Sequence, residues 1–256
     1  MALLINFILH PKSLSLALAL LVVPLLFPGC ALAAEPAGHI DAIKGEVHVL
    51  RGSSEVSALP DTTVEVGDNI RTGKASRVRI LLNDGSSMQL GQNAEALIER
   101  YKIASGGGLM DALINLLEGR ARFIVEKLKR TDAHYRIKTR AVLIGVRGTD
   151  ILAQASGYTG DVALVEGRIA LSRSGYKQQV PLSRGEYIKV AGAWPAKAQP
   201  IPEQWLADFI NDVGTSDGGN RKKKGDGSGG DDGSAPSDVL QQKTINQMGN
   251  PMIVPQ

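Results

Sequence analysis

The stretch RVRILLNDGSSMQL, residues 77–90, indicates the fold class. Two apolar runs flank Asn-Asp-Gly-Ser, and Asp-Gly in that position predicts a β-hairpin because glycine accepts the positive φ that a tight turn requires. Similar short runs, bounded by Gly, Asp, Asn or Ser, predict further strands at residues 46–50, 120–126, 135–139, 150–155, 162–165, 168–172 and 187–190. The sequence therefore predicts an all-β fold.

A pattern of charged residue, glycine and charged residue, flanked by apolar residues, occurs three times. The copies are IKGEVHV at 43–49, LEGRARF at 117–123 and VEGRIAL at 165–171. A second pattern, VGDNI at 66–70, returns as RGEYI at 184–188. Repeated turn-and-strand units cannot bury an apolar face alone and must stack or close on each other. We therefore predict a β-sandwich or a short β-solenoid.

Two helices are also predicted. Residues 109–117 follow three glycines, their leucines share one face at helical spacing, and Gly119 stands where a C-terminal cap is expected. We expect this helix to cover the open end of the β layer. The other helix begins at Glu203 after a proline. Its apolar stripe, which we expect to pack on the β domain, consists of Trp205, Leu206, Phe209 and Ile210.

The N-terminus predicts a secretory signal peptide. Residues 14–27 are apolar, and Ala31-Leu32-Ala33 is an A-x-A site with cleavage expected between Ala33 and Ala34. Two alternatives remain open: a lipoprotein joined to the membrane at Cys30, and an uncleaved anchor. Cys30 is the single cysteine, so no intrachain disulfide can form. The predicted order is a signal peptide at 1–33, a β domain at 34–192, a linker and short helix at 193–213, and a disordered tail at 214–256.

The composition argues against several classes of function. The net charge of +3 comes from 29 basic and 26 acidic residues, which is not the surplus of a nucleic-acid binder. His39, His48 and His134 stand apart without metal-ligand spacing, and we find neither a P-loop nor a G-x-S-x-G nucleophile motif. Aspartates beside glycines have a local explanation, because their carboxylates accept backbone N–H groups at turns. We therefore predict no catalytic residues, no cofactor and no bound metal.

The stretch AVLIGVRGTDILAQ, residues 141–154, holds the most distinctive charged group. Arg147 offers five donors in a planar fork, and a buried arginine needs acceptors around it. Asp150 and strand-end carbonyls are the nearest candidates, so we interpret Arg147 as a structural residue that holds strands together, with anion binding as the alternative. The predicted structural motif is Gly67, Asp68, Gly145, Arg147, Gly148, Thr149 and Asp150.

These blocks together resemble the FecR-like domain family. The resemblance rests on VGDNIRTG at 66–73, SRV at 76–78, NDGS at 83–86, LEGR at 117–120, GVRGTD at 145–150 and VEG at 165–167. It spans about residues 40–190 and implies an all-β extracytoplasmic domain without catalytic residues. The founding members sense an outer-membrane transporter and pass the signal to a cytoplasmic sigma-factor-binding segment. Here a predicted signal peptide stands in that place, so we expect a stand-alone secreted module.

We therefore expect a non-enzymatic periplasmic protein that binds an envelope protein in a sensory or scaffolding role. A cell-wall or polysaccharide-binding module is the alternative from another class. An enzyme is the third possibility, and an open pocket gathering Asp68, Asp150 and a histidine would favour it.

Overall fold

A computed structural model describes residues 35–214 apart from residues 106, 129 and 195. The predicted signal peptide, its cleavage site at Ala33 and Ala34, and the predicted tail beyond residue 214 lie outside the described residues. The elements are β1 Pro36–Lys44, β2 Val47–Arg51, β3 Ser54–Ser57, β4 Thr63–Glu65, β5 Asn69–Thr72, β6 Arg77–Leu82, β7 Ser87–Leu90, β8 Glu95–Ile103, β9 Leu109–Val125, β10 His134–Lys138, β11 Leu143–Val146, β12 Thr149–Ser156, β13 Thr159–Glu166, β14 Arg168–Ser172, β15 Val180–Ser183, β16 Glu186–Val190, β17 Gln199–Pro200 and α1 Glu203–Val213.

The strands form two open sheets that share β9. Sheet A has the order β4-β1-β6-β7-β9-β12-β13-β16-β17. Sheet B has the order β3-β2-β5-β8-β9-β10-β11-β14-β15. The predicted hairpin is β6–β7, in which Leu81 pairs with Ser87 across Asp84-Gly85. The all-β prediction is confirmed.

Strand β9 crosses from one sheet to the other, and it corrects the predicted helix at 109–117. Residues up to Glu118 pair with β8 in sheet B, and residues from Gly119 pair with β12 in sheet A. Ala112, Ile114 and Leu116 are fully buried at alternate positions, which is the period of a strand. The leucine spacing was ambiguous because a short apolar run fits both periods, and hydrogen-bonding partners on both sides decided for the strand.

The repeated glycine pattern marks the corners where the chain changes sheet. Gly45 lies between β1 in sheet A and β2 in sheet B, Gly119 lies within β9, and Gly167 lies between β13 and β14. All three have positive φ, at 79°, 83° and 96°. At Gly119 a Cβ would also come within 2.6 Å of the Ala94 backbone, so glycine is required there for space as well.

One core lies between the two sheets, and α1 covers the outer face of sheet A. Buried side chains from both sheets, such as Ile80 and Ile151 from sheet A and Ile114 and Ile144 from sheet B, belong to one contiguous cluster. On the other face of sheet A, a second cluster joins Leu152, Ala163, Val165 and Tyr187 to Leu206, Phe209, Ile210 and Val213 of α1. The predicted helix after Pro202 and its packing on the β domain are therefore confirmed.

Candidate interaction surfaces

Asp68 lies at the corner between β4 and β5, in an ion pair that the sequence did not identify. Its carboxylate is fully buried and accepts hydrogen bonds from Nε and Nη2 of Arg51, both at 2.7 Å. It also accepts the backbone N–H of Glu65 at 2.8 Å. The hydrogen bond to Asp68 raises the pKa of the Arg51 guanidinium above its ordinary value. Gly67, with φ of 93°, makes the turn that places Asp68 there. Both carboxylate oxygens are engaged, so this aspartate is built into the corner.

Asp84, in the β6–β7 turn, is also fixed by hydrogen bonds to its carboxylate, in this case from hydroxyl groups. Its carboxylate accepts the hydroxyl of Ser86 at 2.8 Å and the hydroxyl of Tyr101 at 3.0 Å. Ser86 Oγ in turn accepts the backbone N–H of Glu126 at 3.0 Å. Burial, reinforced by the charge of Asp84, raises the pKa of Tyr101 well above its ordinary value. The turn motif therefore ties its hairpin to β8 and to the end of β9.

The expected partnership of Arg147 with Asp150 is wrong. Asp150 accepts two hydrogen bonds from Arg122, from Nε at 3.0 Å and from Nη2 at 2.6 Å. Arg122 is buried in β9, which runs beside β12, so the pair bridges neighbouring strands of sheet A. Arg147 is exposed, and no ion pair or hydrogen bond of its side chain is present within the described part of the chain. The side chain that holds the strands is Arg122, which lies 28 residues from Asp150.

The rest of the predicted motif divides between a turn and a cleft. Gly148 has φ of 66°, and Thr149 is buried at the start of β12, with its hydroxyl unpaired among the described residues. Gly145 is exposed in β11 and lines a cleft together with Arg147. The structure thus brings Gly145 and Arg147 to an open surface, whereas Asp68 and Asp150 are engaged in separate ion pairs.

The three histidines of the described residues do not lie together. His39 and His134 are exposed on β1 and β10, and His48 on β2 lies between Glu46, at 2.8 Å, and Glu55, at 3.3 Å. Among residues 35–214 as described, no cluster of three or more His, Cys, Asp or Glu side chains could hold a metal ion. No helix in the same part of the chain is long and apolar enough to cross a membrane.

The outer strand of sheet B, β3, presents an unpaired edge. Its four residues are all exposed, and the described residues pair it with β2 alone. Val56 is 55% exposed, and Leu59, just beyond the strand, is 68% exposed. We refer to residues 54–59 as the β3 edge.

Comparison with known proteins identifies the central part of this fold. Residues 68–170 match the sequence model of a family described as FecR protein. This chain contains a FecR domain. No curated protein matches the chain.

Two solved structures are similar to the FecR-domain chain. Both are crystal structures of a candidate anti-sigma factor from Parabacteroides distasonis, at 1.65 Å and 2.50 Å resolution. Each has 17% identity and a TM-score of 0.45 over 56% of this chain. The alignment covers 64% and 63% of those chains, so this chain spans less than two thirds of the length of either structure.

The FecR match begins at the buried aspartate of the first corner. It includes Asp84, the Arg122–Asp150 pair and Arg147. The β3 edge, at residues 54–59, and α1, at Glu203–Val213, lie outside it.

Proposed function

We propose that this chain is a non-enzymatic FecR-domain protein of the bacterial periplasm that binds another envelope protein and serves as a sensory or scaffolding module. Three features support the proposal. The N-terminal residues have the pattern of a secretory signal, the central residues match the FecR family, and the carboxylates of Asp68 and Asp150 are each paired with an arginine. The alternative from another class is a cell-wall or polysaccharide-binding module.

The β3 edge carries this proposal, because a free strand edge can accept an extended segment of a partner. Natural sheets protect their edges with proline, charge or short strands. The other edge strand of sheet B, β15, contains Pro181, and an edge strand of sheet A, β17, contains Pro200. Strand β3 is short and contains one charged residue, Glu55, but it has no proline. Val56 within the strand and Leu59 just beyond it are exposed apolar side chains that a partner could cover.

The hydrogen-bond pattern indicates which backbone groups of β3 point away from β2. Ala58 donates its backbone N–H to Val47 at 2.8 Å, next to the β2–β3 ladder. In an antiparallel pair, inward and outward groups alternate along the strand. Ser57 and Glu55 therefore direct their backbone N–H groups away from β2, toward an added strand.

The test uses a proline at one of these outward positions. Ser57→Pro removes a donor that an added strand needs, while the bonds between β2 and β3 remain. Ser57→Ala keeps the N–H and is the matched control. With a photo-crosslinker at Val56 of the full chain in living cells, we expect a crosslinked envelope protein with the wild type and Ser57→Ala, and its loss with Ser57→Pro.

Two outcomes would contradict this function. Crosslinking that is equal in Ser57→Pro and Ser57→Ala would exclude strand addition at β3. Retention of the purified chain on isolated cell wall, with no crosslinked protein, would favour the polysaccharide-binding alternative.

A further inference from the structure

A basic cleft opens on the outer face of sheet B, away from the β3 edge. Its volume is about 410 Å³, and its lining includes Arg136, Arg147, Arg168 and His134. None of the lining residues is acidic. Arginine keeps its positive charge at all physiological pH values, so the cleft has a permanent charge of one sign.

The strand registers explain why these basic side chains meet. Arg136 pairs with Gly145, and Gly145 pairs with Ala170, so β10, β11 and β14 place these residues in one row. The same registers, extended by two residues, place His134 opposite Arg147 and Arg147 opposite Arg168, which gives a second row. The intervening residues, including Tyr135, Ile144 and Ile169, are buried in the core, so both rows face outward.

The arginine charges of these two rows have little compensation from acidic side chains. Arg136 donates to Asp111 at 2.5 Å, but Asp111 is shared with Arg100 at 2.8 Å, and Nε of Arg136 is buried without a partner among the described residues. Burial raises the pKa of Asp111, but hydrogen bonds from the two arginines outweigh it, and the pKa lies below its usual value. Within the described part of the chain, neither Arg147 nor Arg168 has an ion pair. Like charges directly opposite on neighbouring strands destabilise a sheet, so the row that holds Arg147 and Arg168 favours an added anion.

Gly145 is one of the residues that line the cleft. Its backbone is an ordinary strand without positive φ, so the conformation does not require glycine. A Cβ at this position would meet no atom within 4 Å. The missing side chain therefore leaves a hollow between Arg136 and Ala170, beside the exposed guanidinium of Arg147.

We propose that this cleft binds the phosphate group of a small molecule or a lipid headgroup. Guanidinium groups bind phosphate oxygens through paired N–H donors, and a cleft lined by three arginines suits an oxyanion with more than one charge. The volume falls within the range of small-molecule sites, so it also has room for an organic group attached to the phosphate. This site is independent of the β3 edge, and either proposal can fail alone.

Calorimetry on the full chain tests the site with inorganic phosphate and glycerol 3-phosphate, against sodium chloride at the same ionic strength. Vesicles that contain phosphatidylglycerol, against vesicles of phosphatidylcholine alone, test the lipid source.

Arg147→Gln and Arg168→Gln should each weaken phosphate binding by about tenfold or more, since each removes a hydrogen bond to a charged group. Gly145→Val should fill the hollow and abolish binding with no loss of melting temperature. Arg140→Gln is the matched control, because Arg140 is exposed and does not line the cleft.

Binding of a soluble phosphate that is lost in Arg147→Gln and kept in Arg140→Gln supports the site with a small-molecule ligand. The same pattern with anionic vesicles alone assigns the phosphate to a lipid headgroup. Absence of binding to every probe would overturn the proposal. Equal weakening by Arg147→Gln and Arg140→Gln, or full binding by Gly145→Val, would also overturn it, because the attraction would then be general to the surface.

Discussion

At the scale of single residues, two aspartates of this FecR domain, Asp68 and Asp150, are paired with arginines that lie far away in the sequence. Asp68 and Asp132 each accept two hydrogen bonds from one arginine, but Asp68 is fully buried and Asp132 is exposed. Asp68→Ala should lower the free energy of unfolding by about 2 kcal/mol or more, because it removes charged hydrogen bonds in the interior. Asp132→Ala should cost no measurable stability, since exposed ion pairs contribute little. Urea denaturation measures both, and equal effects would contradict a structural role for Asp68.

Replacing Arg122 and replacing Arg147 should affect stability differently. Arg122→Met leaves the carboxylate of Asp150 without its partner, and that side chain is only 13% exposed. We expect a loss of about 3 kcal/mol of unfolding free energy, as for other buried ion pairs broken on one side. Arg147→Met removes an exposed side chain and should leave the melting temperature unchanged. A thermal melt in which Arg147→Met is the more damaging substitution would restore Arg147 as the residue that holds the strands.

At the scale of elements, the bend in β9 determines how the two sheets are joined. Gly119→Ala forces a side chain into positive φ and against the backbone of Ala94, at 2.6 Å. We expect a loss of at least about 2 kcal/mol from the conformation alone. Gly145→Ala, also within a strand, should be tolerated, because the added Cβ would meet no atom within 4 Å and the backbone there does not have positive φ. Chemical denaturation of the two variants gives the comparison, and a tolerated Gly119→Ala would mean that the corner can relax.

At the scale of the whole molecule, the shared strand and the shared core predict a single cooperative unfolding transition. The chain has two tryptophans. Trp194 belongs to the core between the sheets, and Trp205 packs on the cluster beneath α1. Variants Trp194→Phe and Trp205→Phe each leave one reporter, and their fluorescence midpoints in urea should coincide with that of circular dichroism. An earlier transition for Trp205 would show that α1 detaches before the sheets unfold.

The amino-acid sequence alone predicts part of the strands, the hairpin at Asp84-Gly85, the repeated glycine turns and the helix after Pro202, whereas strands such as β1 and β8 were not predicted. These features depend on alternation, turn chemistry and capping, which are local and can be read from neighbouring residues. The run at 109–117 was misassigned because its local pattern fits both periods, and only its neighbours β8 and β10 made it a strand.

The partners of the charged residues depend on how the strands pair in the folded chain. Arg51 lies 17 residues from Asp68, and Arg122 lies 28 residues from Asp150, so their pairing depends on strand register. The same holds for the basic cleft, whose arginines come from β10, β14 and the turn after β11. Side chains that meet across a sheet are chosen by the pairing of its strands, and no local pattern in one strand specifies which residue will lie opposite.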